Sequence, residues 1–325
     1  MSVETVTARK AGRLDKVLVG LLTEYGSPSR SAVQKLIDSG RVKVNGVARP
    51  AGYAVKPGDV VVVDIPAAKP TTTEPEDIAL KIIFEDDDVI AVDKAAGMVV
   101  HPGAGNAAGT LANAILAHAP GMAAVGDPTR PGIVHRLDKE TSGIVLLAKH
   151  PAAYVELQRQ FKMRTVKKLY MALCVGAVSP PRGVINKPIG RDPAHRQRMA
   201  IVADGRESVS HYAVAEVYTL KATLMPTDFP DLKMPKGATY SFVRVRPSTG
   251  RTHQIRVHLA SIGFPIVGDA LYGATRRDAL SRALAPRQLL HAGELGFNLP
   301  STGQWTTLYA PLPEDMRRIL DLIGD

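Results

Sequence analysis

Between Arg130 and Lys149 the chain reads RPGIVHRLDKETSGIVLLAK, and its polar middle holds His135, Arg136, Asp138 and Lys139 between two apolar runs. A carboxylate among basic groups can serve as a nucleophile or as a proton acceptor, and Asp138 is the candidate for that role. Two later strings carry groups that could join it. KKLYMALCVG, from Lys167 to Gly176, presents Tyr170, and STGRTHQIRVH, from Ser248 to His258, presents Arg251, His253, Arg256 and His258. An Asp three residues before Thr141 would also suit a plain turn, so the surrounding elements decide what Asp138 is placed to do.

Ile144 to Ala148 is short, rich in β-branched residues and preceded by Gly143, as a buried strand would be. Asp138 then sits on a loop wedged between buried elements, where a fold can hold a side chain rigidly. Pro151 stands where a first-turn proline would, ahead of helical spacing from Ala152 to Phe161. Lys168 to Val175 reads as a strand with Leu169, Met171, Leu173 and Val175 on one face. Tyr170 therefore points with Lys168, Ala172 and Cys174 to the other. Thr252 can cap a helix whose buried stripe is Ile255, Leu259 and Ile262, with Gly263 closing it. His253 and His258 lie about 140° apart around such a helix, so they cannot clasp one metal ion. Arg256, one turn from Thr252, could reach a carboxylate or simply face solvent.

The earlier chain supplies a separate module. After a loose N-terminus, Leu14, Val17, Leu18, Leu21 and Leu22 form one stripe of a helix from Leu14 to Tyr25. A second short helix follows, capped by Ser29 or Ser31, lined by Val33, Leu36 and Ile37 and closed by Gly40. Arg41 to Val44 alternates as a strand, Asn45-Gly46 is a type I′ hairpin signal, and Val60 to Ile65 gives another strand. Arg30, Lys35, Arg41 and Lys43 lie off the apolar stripe as one basic face, either a nucleic-acid grip or an ordinary solvated surface. Pro66 to Pro75, PAAKPTTTEP, reads as a semi-extended linker. Leu80 to Phe84 and Val89 to Val92 make a hairpin with Glu85 to Asp88 as its solvated turn, and a small-residue helix follows around Leu111 to His118. Arg191, His195, Arg196, Arg198 and Arg206 mark a basic hairpin. Val209 to Tyr218 and Tyr240 to Val245 are two more strands, with Leu220 to Ala238 between them a Pro-rich insertion. The boundaries expected are 12–65 for the first module, 66–76 for the linker and 77–325 for the rest.

At 325 residues there is room for two unequal domains, each with a core. A formal net charge of +10 suits a polyanionic partner, although a basic surface also serves solubility. No run approaches the roughly 18 apolar residues of a membrane span, and the N-terminus has no apolar leader core. The single cysteine, Cys174, excludes an internal disulfide and a cysteine-based zinc cluster. The expectation is a cytoplasmic protein with no dinucleotide fingerprint, phosphate loop or metal cluster.

HRLDKETSG, KKLYMALCVG and TGRTHQIRVHL, in that order, resemble the blocks of the RluA/RluD family of pseudouridine synthases, a likeness running from about Arg13 to about Pro313. RLDKVLVGLL, SRSAVQKLIDSGRVKVNG and VKPGDVV resemble the S4 RNA-binding domain. The fold implied is α+β: a small S4-like module, then a catalytic domain with a mixed, largely antiparallel sheet and flanking helices. The reaction implied breaks the N1–C1′ bond of a uridine, turns the base over and rejoins it through C5. Asp138 would act at the ribose, and with nothing oxidised or imported the reaction requires no cofactor or metal.

The resemblance also implies roles. Tyr170 stacks on the target base and is placed to assist proton transfer. Arg256 pairs with Asp138, with Arg251 as the alternate. Arg136 fills the space left by the flipped base, beside His135 as a second RNA contact, and the segment at His101 lies near the cleft. Arg30, Lys35, Arg41 and Lys43 grip structured RNA through its backbone. The expected partner of a monomeric chain is 23S ribosomal RNA or the large ribosomal subunit, with tRNA as the alternative and no membrane involved. A non-catalytic S4-type assembly factor is the binding-only reading, and the trio Asp138, Tyr170 and Arg256 stands against it. A glycosidase pairing Asp138 with Glu140 is disfavoured, because neighbours in one loop are poorly placed to flank a bond.

Overall fold

Alternating valines build the first of two units in the computed structural model, which describes residues 2–22, 30–65, 73–103, 105–195, 198–220, 236–273 and 285–324. In chain order this unit holds β1 (Ser2–Thr7), a short β2 (Gly12–Arg13), α1 (Leu14–Leu21), α2 (Arg30–Asp38), β3 (Val42–Val44), β4 (Val47–Ala48), β5 (Ala54–Val55) and β6 (Val60–Ile65). Four strands pair antiparallel in the order β1-β6-β3-β4, and β2 pairs with β5. Leu14, Leu18, Val33 and Ile37 of the helices close a core over Val42, Val44, Val61 and Val63. Asn45 and Gly46 both take positive φ, 51° and 79°, as a type I′ hairpin needs.

The N-terminus is not loose. Ser2 to Thr7 pairs residue for residue along β6. As a strand with Val3 exposed, it lacks the apolar alternation that would have announced it. The first helix stops at Leu21, with Leu22 as its C-terminal cap. Tyr25, Ser29 and the side chains of Arg30 and Ser31 lie outside the described residues.

The second unit is laid on one mixed sheet. Its elements are β7 (Ile82–Glu85), β8 (Val89–Lys94), α3 (Leu111–His118), β9 (Gly126–Asp127), β10 (Arg130–Pro131), β11 (Ser142–Ala148), α4 (Pro151–Lys162) and β12 (Lys167–Val175). There follow β13 (Arg182–Asn186), β14 (Ile189–Arg191), β15 (Met199–Ile201), β16 (Val209–Thr219), β17 (Thr239–Pro247), α5 (Gln254–Ser261), β18 (Leu290–Asn298), β19 (Trp305–Tyr309) and α6 (Glu314–Gly324). The sheet order is β13-β16-β17-β12-β18-β11-β8-β7, with β19 also on β18. Only β11 and β18 run parallel; the other pairs in this sheet are antiparallel.

Every residue of β11 is buried, as its continuous apolar run requires. α4 starts on Pro151, and the His150 ring caps it by accepting from the Ala153 amide. β12 divides two cores as its alternation predicts. Ala172, Cys174 and Tyr170 pack toward Ile255 and Leu259 of α5, while Leu173 and Met171 pack toward Met316 and Ile319 of α6.

Two expectations change here. Asp88 is no solvated turn residue: it is 5% exposed, and its carboxylate accepts from the Ser301 amide at 2.7 Å and pairs with His150 at 2.9 Å. Thr73 to Glu76, at the end of the segment read as linker, is packed onto α3: Thr73 is buried and the Asn113 side chain donates to the Glu74 carbonyl. Pro66 to Thr72, and 221–235 of the insertion, lie outside the described residues. No described helix is long and apolar enough to cross a membrane.

Candidate active site

The loop carrying Asp138 is held from behind by three consecutive backbone carbonyls. The Thr141 amide closes a turn on the Asp138 carbonyl at 3.1 Å. The Lys139 carbonyl accepts from the Gly97 amide and from Lys94 Nζ, each at 3.0 Å. The Glu140 carbonyl accepts from Arg287 Nη1, also at 3.0 Å. Lys94 is 1% exposed, and its ammonium also donates to the Ala95 and Met98 carbonyls at 2.7 and 2.9 Å. Burial lowers its pKa to about 8, against the pull of Glu140. Arg287 is itself held by a forked pair to Asp315 at 2.6 and 2.9 Å. At either end stand Gly132 and Gly143, with φ of 68° and 111°. A side-chain carbon would strike the Ala148 carbonyl at the first and the Ala292 backbone at the second.

The opposing group comes from α5. Its N-cap is His253, in the left-handed region at φ 57°, rather than Thr252. No side chain caps the helix; Gln254 instead ties down the turn before it, its side-chain oxygen accepting from the Arg251 amide at 3.0 Å and the Thr249 hydroxyl at 2.7 Å. The turn delivers Arg256, 4% exposed, with Nη1 donating to Asp138 at 3.1 Å. Its Nε and Nη2 fork onto Asp269 at 2.7 and 2.9 Å. Burial alone would lower the guanidinium's pKa, but Asp269 and Asp138 together raise it. His253 Nε2 lies 4.0 Å from Asp138, and burial keeps the ring neutral by lowering its pKa. The Tyr272 hydroxyl accepts from the Met199 amide and meets His253 Nδ1, both at 2.8 Å.

Tyr170 faces this centre from β12. Burial first, and the Asp138 charge second, raise its pKa above the ordinary phenol value, so it stays protonated at neutral pH. Arg136, Asp138, Lys168, Tyr170, Arg251 and Arg256 line one open cleft of about 1230 Å³. Arg136 is exposed there, and Arg251 is tied by its Nε to the Glu207 carbonyl at 3.2 Å. A smaller cavity of about 430 Å³, beneath the β14–β15 hairpin, shares Arg251 and Thr252 with it.

His135 lines the cleft but is engaged inward. Its Nε2 accepts from the Leu146 amide at 2.8 Å, its ring stacks on Phe161 at 4.7 Å, and burial drives its pKa down to about 3. A ring so held is neutral and gives no charge to a phosphate; it anchors the loop to β11. His258 is likewise structural, wholly buried between Ser210 and the Lys187 carbonyl. In the first unit Lys35 and Lys43 are exposed, and Arg41 is paired with Asp64 at 2.7 Å. Sequence reasoning passed over Lys94, Asp269, Tyr272 and Arg287, which reach the site only through the fold, and it weighed His253 only as a metal ligand. No group of metal-ligating side chains is found among the described residues.

Comparison with known proteins matches two family descriptions. Residues 88–261 match the RNA pseudouridylate synthase family, and residues 12–61 the S4 domain. The chain is 39% identical over 313 residues to a Bacillus subtilis protein named uncharacterized RNA pseudouridine synthase YlyB, covering 96% of this chain and 94% of that one. It is 42% identical over 324 residues to a Nitrosomonas europaea protein named ribosomal large subunit pseudouridine synthase D, covering 98% and 87%. Among solved structures, human RNA pseudouridylate synthase domain containing 1 superposes with a TM-score of 0.55 at 25% identity, over 76% of this chain and 95% of that chain.

Proposed function

The chain belongs to the RNA pseudouridylate synthase family and is an RNA pseudouridine synthase with an S4 domain, and from that premise we propose that it converts uridines of 23S ribosomal RNA through Asp138. The observation that carries the site assignment is the Asp138–Arg256 contact at 3.1 Å, which sets a carboxylate beside a buried guanidinium at the floor of an open cleft. The substrate reading is supported by relatives named for the large ribosomal subunit.

A uridine inside structured RNA must leave its stack to reach Asp138, at a cost of a few kcal/mol. Arg136, exposed two residues before Asp138, fills the vacated space, and Tyr170 offers an aromatic face that returns about 1–3 kcal/mol. The Asp138 carboxylate, oriented by Arg256, acts at the ribose while the N1–C1′ bond breaks. The freed base turns and bonds C1′ through C5, the hydrogen on C5 leaves to solvent as a proton and N1 takes one up, so that the net change is an isomerisation. Tyr170, as a neutral phenol, has a proton to donate and is not the base that removes it. The S4 domain holds the RNA backbone through its exposed lysines, and the reaction takes place in the cytoplasm.

The test is tritium release from uridine-5-³H RNA, with unmodified 23S rRNA and bulk tRNA in parallel. Release from 23S rRNA that disappears in Asp138→Asn, at unchanged RNA affinity, is the expected result. Release from tRNA alone overturns the substrate, and release that survives Asp138→Asn overturns the residue.

A further inference from the structure

The chain has a single tryptophan, and the fold leaves it at the surface. Trp305 opens β19 and is 47% exposed, while Leu308 and Ala310, further along, turn into the core. The indole is not loose. It lies across the neighbouring strand at Gly296, where any side-chain carbon would run into the ring. Its N–H donates to the Thr307 hydroxyl at 3.1 Å, which fixes the ring's orientation. Thr307, Trp305 and the exposed Lys162, Arg164 and Lys167 all line the cleft that holds Asp138 and Tyr170. A large apolar ring half in water, lying over a glycine in a cleft that also holds Lys162 and Lys167, matches what single-stranded RNA offers: a base face between phosphates.

We propose that Trp305 is a stacking platform for an unpaired base of the RNA substrate, distant in sequence from Tyr170, with Lys162 and Lys167 taking the flanking phosphates. The platform holds the strand in the cleft while the target base is out of its stack, so it acts on binding rather than on the chemical step. The inference rests on the ribosomal-RNA reading above for the choice of probe.

Because the indole is the chain's only one, its emission reports the contact directly. The probe is a uridine-5-³H fragment of 23S rRNA from which the enzyme releases tritium, titrated into the full chain. Emission should fall to a plateau at the midpoint given by filter binding. Trp305→Ala should weaken binding roughly tenfold, the lower part of the range for one stacked base, with single-turnover rate at saturation unchanged. Trp305→Phe should recover most of that loss. Tyr309→Ala, on the same strand and 66% exposed but outside the cleft lining, should bind as the unaltered chain does. Unchanged emission on an RNA that is being converted, or Trp305→Ala binding as tightly as the unaltered chain, overturns the platform. Absence of tritium release from the fragment counts instead against the ribosomal-RNA reading, and the same titration with the RNA that is converted then decides the platform.

Discussion

Arg256 grips both carboxylate oxygens of Asp269, at 2.7 and 2.9 Å, and only its remaining nitrogen reaches Asp138, at 3.1 Å. Asp269 is buried and further fixed by the amides of Leu271 and Tyr272, each at 3.0 Å. The orientation of the guanidinium is therefore set from the interior, and Asp138 meets a group already aimed at it. In the mechanism proposed above, preset alignment of this kind spares the reaction the work of ordering the site.

Arg256→Lys keeps one charge but loses the fork, so it cannot serve both carboxylates. Tritium release should fall about 10²–10³-fold with RNA affinity little changed. Arg256→Ala strands the Asp269 charge and should destabilise the fold by about 3–5 kcal/mol in thermal denaturation. Arg256→Met with Asp269→Leu should recover much of that stability and none of the activity, which separates the two duties of the arginine.

Tyr170→Phe keeps the aromatic face and removes the proton. RNA affinity should stay within about twofold, while Tyr170→Ala should lose about 1–3 kcal/mol of binding. Because burial and Asp138 raise the phenol's pKa, its neutral form persists above the ordinary value near 10. The pH–rate profile of the unaltered enzyme should accordingly show no Tyr170-linked fall between about pH 7 and 9. An alkaline limb in that window shared by Tyr170→Phe would belong to another group.

Lys94 gives a pH effect of the opposite kind. Its folded pKa is lowered to about 8, whereas in the unfolded chain it is about 10.4. Between those values the unfolded state binds more protons, so this lysine's contribution to stability rises with pH across the window and is flat below about 8. Denaturant titrations of the unaltered chain and Lys94→Met should diverge in that direction from about pH 8 to 10. The neutral amine has only two protons for three carbonyls, so the loop's hold on Lys139 should loosen and the rate should decline over the same range.

Lys35 and Lys43 are exposed in the S4 unit, whereas Arg41 is already paired with Asp64. Lys35→Glu and Lys43→Glu should each weaken RNA binding and make the log–log salt dependence shallower by about 1. Arg41→Ala should cost less. The single-turnover rate at saturating RNA should not move.

The elements were largely legible, because hydrophobic period reports burial and burial decides helix or strand. β11, α4 and β12 sit where their apolar spacing places them. The failures are of two physical kinds. Ser2 to Thr7 is held by backbone pairing to β6, which leaves little apolar pattern in the side chains. Asp88, Lys94, Asp269 and Arg287 look like ordinary surface charge, yet they are buried because carboxylates, amides or carbonyls from distant segments meet them. Asp138, Tyr170 and Arg256 were singled out because their neighbouring strings resemble a family, and the fold brings all three to one cleft. The cation behind the loop, the carboxylate behind Arg256 and the indole at the cleft edge required the fold.

Gly132 and Gly143 bear on how such an enzyme can change. Each is pressed against backbone where no side chain fits, so the reactive stretch is clamped at both ends like a span between two abutments. Lengthening or shortening it would move Asp138 off Arg256 before any new contact formed. Exchange of an exposed side chain within it, such as Arg136, leaves that length alone. The placing of the carboxylate is thus set by the length of the span, and the exposed side chains along it are free of that constraint.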